Sequence, residues 1–248
     1  MFYWRTTLTP SPGAGAVDLA FTGRSAARGS GPYAGLNLGG HVGDDPADVE
    51  ANRAALAHEV ELPRERLVFM RQVHGCEVVE VDGPWAGEAP EVDGVVTRAP
   101  ELALAVLVAD CVPVLLHDAD SAVVGAVHAG RPGMLGGIVP RAVSAMRDLG
   151  ARRIHATVGP SVCGRCYEVP EEMARAAALT APSSAARSWT GTPAVDVAAG
   201  VVEQLAAAGV TVQWVPGCTR ESGDLYSYRR DGRTGRFAGV VARRKEQA

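Results

Sequence analysis

His74, Cys111 and His128 are the residues whose types suit joint chemistry, although they lie far apart in the chain. Each closes an apolar, strand-like run: His74 ends LVFMRQVH, Cys111 follows LALAVLVAD, and His128 ends VVGAVH. Polar side chains at strand ends can meet at one edge of a sheet without entering the core. Two imidazoles and a thiolate suit a zinc ion with three protein ligands and an open fourth position, the arrangement of catalytic rather than structural zinc. The same trio also suits a cysteine hydrolase, with Cys111 as nucleophile and a histidine as its base. Asp110 counts against that reading, because a neighbouring carboxylate raises a thiol's pKa. A third reading leaves a half-buried histidine, an inert core thiol and an unrelated histidine. Spacing by itself does not choose among the three.

Other candidates are weaker. Cys163-Gly-Arg-Cys166 lacks a second Cys-x-x-Cys or a paired histidine, so it is half a structural zinc site and reads as two reduced thiols in a turn. Cys76 and Cys218 carry no signal. Guanidinium forks suit phosphate, and Arg53 follows a glycine-rich loop, Arg71 stands just before His74, and Arg229, Arg230, Arg233 and Arg236 crowd the tail. Taken singly, each also fits a solvated surface charge. No Walker-type loop or G-x-G-x-x-G is present to hold a nucleotide phosphate.

The elements that must position these residues are legible in outline. Val49, Ala55, Leu56 and Val60 have helical spacing after Pro46, and Pro63 closes that segment. Strands are expected over 67–73, 78–81 and 94–97, in LALAVLV and VPVLLH on either side of a turn or bulge, over 123–128 and 154–159, and in VTVQW. Helices are expected from the glycines after His128 to Leu149, over 170–179 and over 195–208. Residues 1–45, with SPGAGAV and RGSGPYAG, read as loops around short strands. The stretch 180–191 reads as a surface loop, and SYRRDGRTGR as an arginine-rich tail. Strands and helices interleave irregularly rather than in βαβ order, which predicts one α+β domain over 1–248 with a mixed sheet.

Composition narrows the classes. The chain has 248 residues, 47% hydrophobic and 21% charged, enough for one large domain or two small ones at ~150 residues each. A net charge of −4 excludes a protein held on nucleic acid by broad electrostatics. The longest apolar run, Leu102 to Ala109, is far short of the ~20 residues of a membrane span. MFYWRTTLTP lacks the charged-then-apolar pattern of a signal peptide. Five cysteines, an odd count, predict reduced thiols and a cytoplasmic protein rather than a disulfide framework. Lys245 is the single lysine, and a coding bias toward arginine explains that without a functional cause.

With these residues in hand, the chain resembles the laccase-domain family, also called multicopper polyphenol oxidases, whose members act as purine nucleoside phosphorylases. The matching segments are NLGGHVGDDPADVEANR at 37–53, RQVHG at 71–75, EVDGVVT at 91–97, ADCVPVLL at 109–116, VGAVHAG at 124–130, VGPSVCGRCYEV at 158–169 and DLYSYRRDGRTGR at 224–236. The resemblance implies an α+β sandwich of mixed sheets with helices outside. It implies one zinc on His74, Cys111 and His128, with phosphate at Arg53 and with Arg71 and Asn37 beside it. Adenosine, inosine, guanosine or 5′-methylthioadenosine would be cleaved by phosphate, with adenosine deamination as a side activity. Two segments depart from the family: HAGRPG stands where HAGWRG is usual, and CGRCYEV where CCYEV is. Neither departure touches a metal ligand. A multicopper oxidase needs His-x-His pairs, whereas this chain has six histidines and none in such a pair. Copper could still load a single His2Cys site in vitro, because it binds such ligands more tightly than zinc. The rival readings are a copper-dependent polyphenol oxidase, a hydrolase using Cys111, and a metal-stabilised interaction module without turnover.

Overall fold

LALAVLV and VPVLLHD carry apolar side chains on both faces, so each strand must be covered on two sides. The computed structural model, which describes residues 1–9, 15–24 and 28–245, shows how. Part of the SPGAGAV loop, residues 11–14, lies outside the described residues. The strands are β1 (Phe2–Leu8), β2 (Val17–Thr22), β3 (Leu67–Phe69), β4 (Val78–Glu80), β5 (Gly94–Thr97), β6 (Ala103–Val108), β7 (Val112–Asp118), β8 (Val124–Ala129), β9 (Ile154–Val158), β10 (Ala185–Arg187), β11 (Pro193–Val195), β12 (Thr211–Trp214) and β13 (Phe237–Arg243). The helices are α1 (Pro46–Glu59), α2 (Arg131–Gly136), α3 (Ile138–Asp148), α4 (Glu171–Thr180), α5 (Val197–Ala207) and α6 (Tyr228–Asp231).

Two mixed sheets form, a 5-stranded one in the order β1-β2-β13-β6-β3 and a 6-stranded one in the order β12-β9-β7-β8-β5-β4. Their facing sides interlock through Leu19, Phe21, Leu104, Val106, Phe237 and Val241 against Val95, Leu115, Val124 and Ala126. The alternate residues Ala103, Ala105 and Leu107 turn outward and bury Leu56 and Ala57 of α1 and Val60 just beyond it. On the other side Val112, Val114, Leu116 and Val127 pack against Met134, Val139, Val143 and Met146 of α2 and α3 and Val201 and Leu205 of α5. The period-2 alternation thus serves two layers from every central strand. Each fully buried Leu or Val contributes roughly 1.5–3 kcal/mol. The resulting order is helix, sheet, sheet, helices: the α+β sandwich that the resemblance implies. No helix among the described residues is long and apolar enough to cross a membrane.

Five features of the fold go beyond or against the sequence reading. β6 and β7 belong to different sheets, so the turn at 109–111 carries the chain from one layer of the sandwich to the other. The strand expected over 67–73 stops at Phe69, after which Arg71 makes only an isolated bridge to Glu91. The helix after His128 breaks at Gly137, whose φ of 82° no helix tolerates, into α2 and α3. β13 is no part of a tail but the middle strand of the 5-stranded sheet: Phe237–Arg243 is fully buried between β2 and β6, and its short FAGVVA run is masked by the arginines before it. The stretch 180–191 also contributes β10, which pairs with β11.

Candidate metal centre

The β7–β8 pairing sets Val112 opposite Ala129 and Pro113 opposite His128, so Cys111, just before β7, starts beside His128. His74 arrives from the turn that follows β3. The ligand atoms of His74, Cys111 and His128 all lie within 4.8 Å of one another. Cys111 Sγ is 3.7 Å from His74 Nε2. Tetrahedral zinc with its usual bond lengths needs an S···N separation of ~3.6 Å, so this donor set fits the ion with little movement. The two imidazoles meet edge to face, with centroids 4.8 Å apart and planes at 79°.

A carboxylate organises the trio from behind. Asp93 is fully buried, and its Oδ1 accepts from His128 Nδ1 at 2.7 Å and from the His74 N–H at 3.0 Å. Its Oδ2 accepts from the N–H groups of Gly75 at 2.6 Å and Val73 at 3.2 Å. With Nδ1 protonated toward Asp93, His128 offers Nε2 to a metal, the usual carboxylate–histidine support of a ligand. The same carboxylate holds the 73–75 turn, in which His74 has a left-handed φ of 61°. That conformation costs a non-glycine residue roughly 1–2 kcal/mol, and the hydrogen bonds to Asp93 offset it. Asp93 sits inside EVDGVVT, where an acid next to the buried Val92, Val95 and Val96 is the available signal, but the sequence alone assigns it no role.

Electrostatics ionise the centre. Burial pushes the Cys111 thiol up, but the His128 charge and hydrogen bonds from His128 and His74 outweigh it and bring the pKa to about 6. Burial opposes charge on His128 too, yet Cys111 and Asp93 raise it to about 9. Asp93 is held below the usual carboxylate range, with hydrogen bonds from His128, Gly75 and Val73 overcoming burial. Both shifts favour the charged forms, a thiolate beside an imidazolium.

Two backbone features make room for the cluster. A Cβ at Gly130 would stand 2.9 Å from His74 Cδ2 and 3.2 Å from Cys111 Sγ, so only glycine fits there without displacing ligands. Asp110 has a φ of 98°. Its Oδ1 accepts from Thr219 Oγ1 at 2.6 Å and Ser227 Oγ at 2.7 Å, and its Oδ2 from the Arg229 N–H at 2.7 Å. The turn carrying Cys111 is thus pinned from the loop after β12 and from the start of α6.

The open side of the cluster faces a cavity of about 560 Å³ lined, beyond the ligands, by His41, Gln72, Arg131, Tyr167, Tyr228, Arg229 and Arg236. Of Arg53, Arg71 and Asn37, which the resemblance places at phosphate, none lines it. Arg53 donates to the Leu38 carbonyl at 3.0 Å and stacks 4.2 Å from the Phe69 centroid. Asn37 is fully buried, accepting from the Gly39 and Arg236 N–H groups at 3.0 and 2.8 Å and donating to Asp44 at 2.8 Å. Arg71 is exposed and paired with Glu91 at 3.0 Å. The cations on the wall are instead Arg131, Arg229 and Arg236. Arg131, the first position at which HAGRPG departs from HAGWRG, has a buried Nε without a hydrogen-bond partner. Burial, with Arg236 and Arg53 next in effect, lowers the His41 pKa.

Residues 18–244 match the family described as multi-copper polyphenol oxidoreductase laccase. A Streptomyces griseus protein named purine nucleoside phosphorylase ORF3 is 55% identical over 236 residues, covering 93% of this chain and 96% of its own. The crystal structure of YlmD from Geobacillus stearothermophilus superposes with a TM-score of 0.84 at 32% identity, over 95% of this chain and 94% of that one. The Neisseria meningitidis protein NMB0706 superposes with a TM-score of 0.85 at 31% identity, over 97% of this chain and 99% of that one. The chain belongs to the multi-copper polyphenol oxidoreductase laccase family.

Proposed function

We propose that this protein is a zinc-dependent purine nucleoside phosphorylase. Adenosine, inosine, guanosine or 5′-methylthioadenosine reacts with phosphate to give the free base and a sugar 1-phosphate. The observation that carries the reading is a three-ligand cluster opening onto a cavity with both cations and aromatic rings on its wall. Relatives named purine nucleoside phosphorylase at 55% and 48% identity support it. His74, Cys111 and His128 would hold the zinc, and zinc bound there supplies a Lewis acid at the open face.

The chain's own residues do the rest. Arg131, Arg229 and Arg236 hold the phosphate by charge-assisted hydrogen bonds and set it in line with the anomeric carbon. As the N-glycosidic bond breaks, positive charge grows on the ribose and the bound phosphate closes on it. Tyr167 and Tyr228 stack the purine, and the Arg229 guanidinium, 4.5 Å from the Tyr167 centroid, stiffens that platform. Asn37 and Arg53 act as positioning residues: Asn37 anchors the Arg236 backbone, and Arg53 braces the loop that carries His41. Arg71 drops out of the phosphate role. Adenosine deamination is part of the proposal as a side activity on the same face, as is copper uptake in vitro. The chain works as one unit over 1–248, in the cytoplasm, where its five free thiols stay reduced.

The test is phosphate-dependent release of free base from inosine and adenosine. Cys111→Ala and His128→Ala should each lower it by at least ~100-fold, and full activity in either overturns the account. Release that ignores phosphate concentration makes the enzyme a hydrolase. One observation favours that second reading: a thiolate beside a histidine that is itself backed by Asp93 is a nucleophile–base–acid series. Iodoacetamide inhibition with activity intact in chelator would establish it.

A further inference from the structure

A second cluster lies one residue from the cavity wall at Tyr167. The Sγ atoms of Cys163, Cys166 and Cys218 and a carboxylate oxygen of Glu221 all lie within 4.8 Å of one another. Two turns of the same design supply them. The Cys166 N–H donates to the Cys163 carbonyl at 2.9 Å, and the Glu221 N–H to the Cys218 carbonyl at 3.2 Å. Each turn therefore presents its first and fourth side chains on one side.

The turns meet because β9 and β12 run parallel and the loops beyond them continue the pairing. Ser161 bridges Cys218, with the Ser161 N–H donating to Gly217 at 3.2 Å and the Thr219 N–H to Ser161 at 3.1 Å. The half-site that Cys163-x-x-Cys166 makes in the sequence is thereby completed by Cys218-x-x-Glu221. Cys166 is 4% exposed, and its Sγ donates to Glu221 Oε1 at 3.3 Å. The Trp189 indole N–H donates to the same oxygen at 3.3 Å, and the Arg165 guanidinium stacks 4.3 Å from the Trp189 centroid. A roof thus orients the carboxylate and leaves its second oxygen free.

We propose that Cys163, Cys166, Cys218 and Glu221 form a second, structural zinc site. Three soft thiolates with one carboxylate, set for four-coordination, suit zinc. Zinc at ~2.3 Å from each sulfur needs S···S separations of ~3.8 Å, which small side-chain rotations reach from the present spacing. Four protein ligands close the coordination sphere, so the ion holds structure rather than substrate. On binding, each thiol loses its Sγ proton to solvent and becomes a thiolate ligand. The ion ties the loop after β9 to the loop after β12. The first carries Val162 and Tyr167 of the cavity wall, and the second carries Thr219, which holds Asp110 next to Cys111.

The experiment uses the full chain bearing Cys111→Ala, so that the His–Cys–His cluster supplies no thiolate. Reduced, EDTA-treated protein is titrated with Co²⁺ alone. The expected result is one equivalent bound with thiolate-to-cobalt charge-transfer absorption, displaced by Zn²⁺ and lost on adding Cys218→Ser. On the unsubstituted chain, peptide-resolved alkylation with and without Zn²⁺ should show Cys163, Cys166 and Cys218 protected by at least about tenfold in rate, with Cys76 unchanged. That second measurement stands even if Cys218→Ser does not fold. No charge-transfer absorption in the Cys111→Ala chain, or equal alkylation with and without zinc, overturns the site. So does a disulfide among these three cysteines in protein prepared with reductant. None of these readouts depends on phosphorolysis, so this site and the proposed function fail separately.

Discussion

The two sulfur-bearing clusters of this molecule are built in opposite ways. His128 comes from the end of β8, Cys111 from a strand-to-strand turn and His74 from the 73–75 turn, with a buried carboxylate clamping one ring and that last turn. Cys163, Cys166, Cys218 and Glu221 come from two loops and are organised by local turn hydrogen bonds and an exposed indole. The first offers three donors and opens onto a cavity; the second offers four and is roofed. Ligand number and scaffold go together here. A site that must keep a coordination position free cannot rely on the ion to pull its ligands into place, so the fold preorganises it. A closed site can be assembled by the ion itself, and loops are sufficient.

Removing the clamp is the strongest test of that contrast. Asp93→Asn keeps the volume but loses acceptor capacity for His128 Nδ1 and the three N–H groups of the 73–75 turn. Metal affinity at the His–Cys–His cluster should fall by about 10–100-fold, measured by chelator competition, while the cysteine–glutamate cluster keeps its zinc. Equal loss at both clusters would break the comparison. Gly130→Ala comes next. Its φ of −74° suits any residue, so the backbone is not strained. The new Cβ, at 2.9 Å from His74 Cδ2, must push that ring outward. Affinity and base release should drop together by about tenfold, with thermal stability close to that of the parent. An unchanged affinity would mean that the ring positions are not set by this contact.

Asp110 links the clusters, since its partner Thr219 directly follows Cys218. Asp110→Ala strands two hydroxyls and the Arg229 N–H and leaves alanine at a φ of 98°. Stability should fall by roughly 2–4 kcal/mol in urea unfolding. Asp110→Asn keeps one acceptor oxygen and tolerates the left-handed region, and should cost about half as much. Equal losses for the two substitutions would remove the hydrogen bonds from the explanation.

The same contrast explains which parts were legible in the chain. His74, Cys111 and His128 each follow or end an apolar run, and strand ends converge, so their types and places announced the first cluster. The second was half visible, because Cys163 and Cys166 share one turn but their partners arrive through the parallel pairing of β9 with β12, which leaves no local trace. Asp93 was hidden among apolar neighbours, and its role depends on which backbone N–H groups fold over it. The phosphate side is less legible for a related reason. In the matching segments Arg53 Nε donates to the Leu38 carbonyl and Asn37 is held by backbone N–H groups and Asp44, while Arg131 and Arg236 reach the cavity through α2 and the approach to β13. β13 itself is a central strand whose six apolar letters stand between arginines, and only its burial between β2 and β6 reveals it.

The smallest effect is the most selective. Trp189 is 66% exposed, so when its indole N–H is lost in Trp189→Phe, water can replace it at Glu221 Oε1. The cost is then only about 0.5–1 kcal/mol, or roughly two- to fivefold faster release of zinc from the cysteine–glutamate cluster to a chelator. The phenyl ring still covers Arg165, so the roof keeps its shape. Because the His–Cys–His cluster is held by Asp93 and not by this loop, base release and metal affinity there should stay at the parent value. A loop-built site should feel a change in its own roof that a strand-built site does not. If Trp189→Phe slowed base release as much as it loosened zinc, the loops would be setting the geometry of both clusters, and the division between an open site held by the fold and a closed site held by its ion would fail.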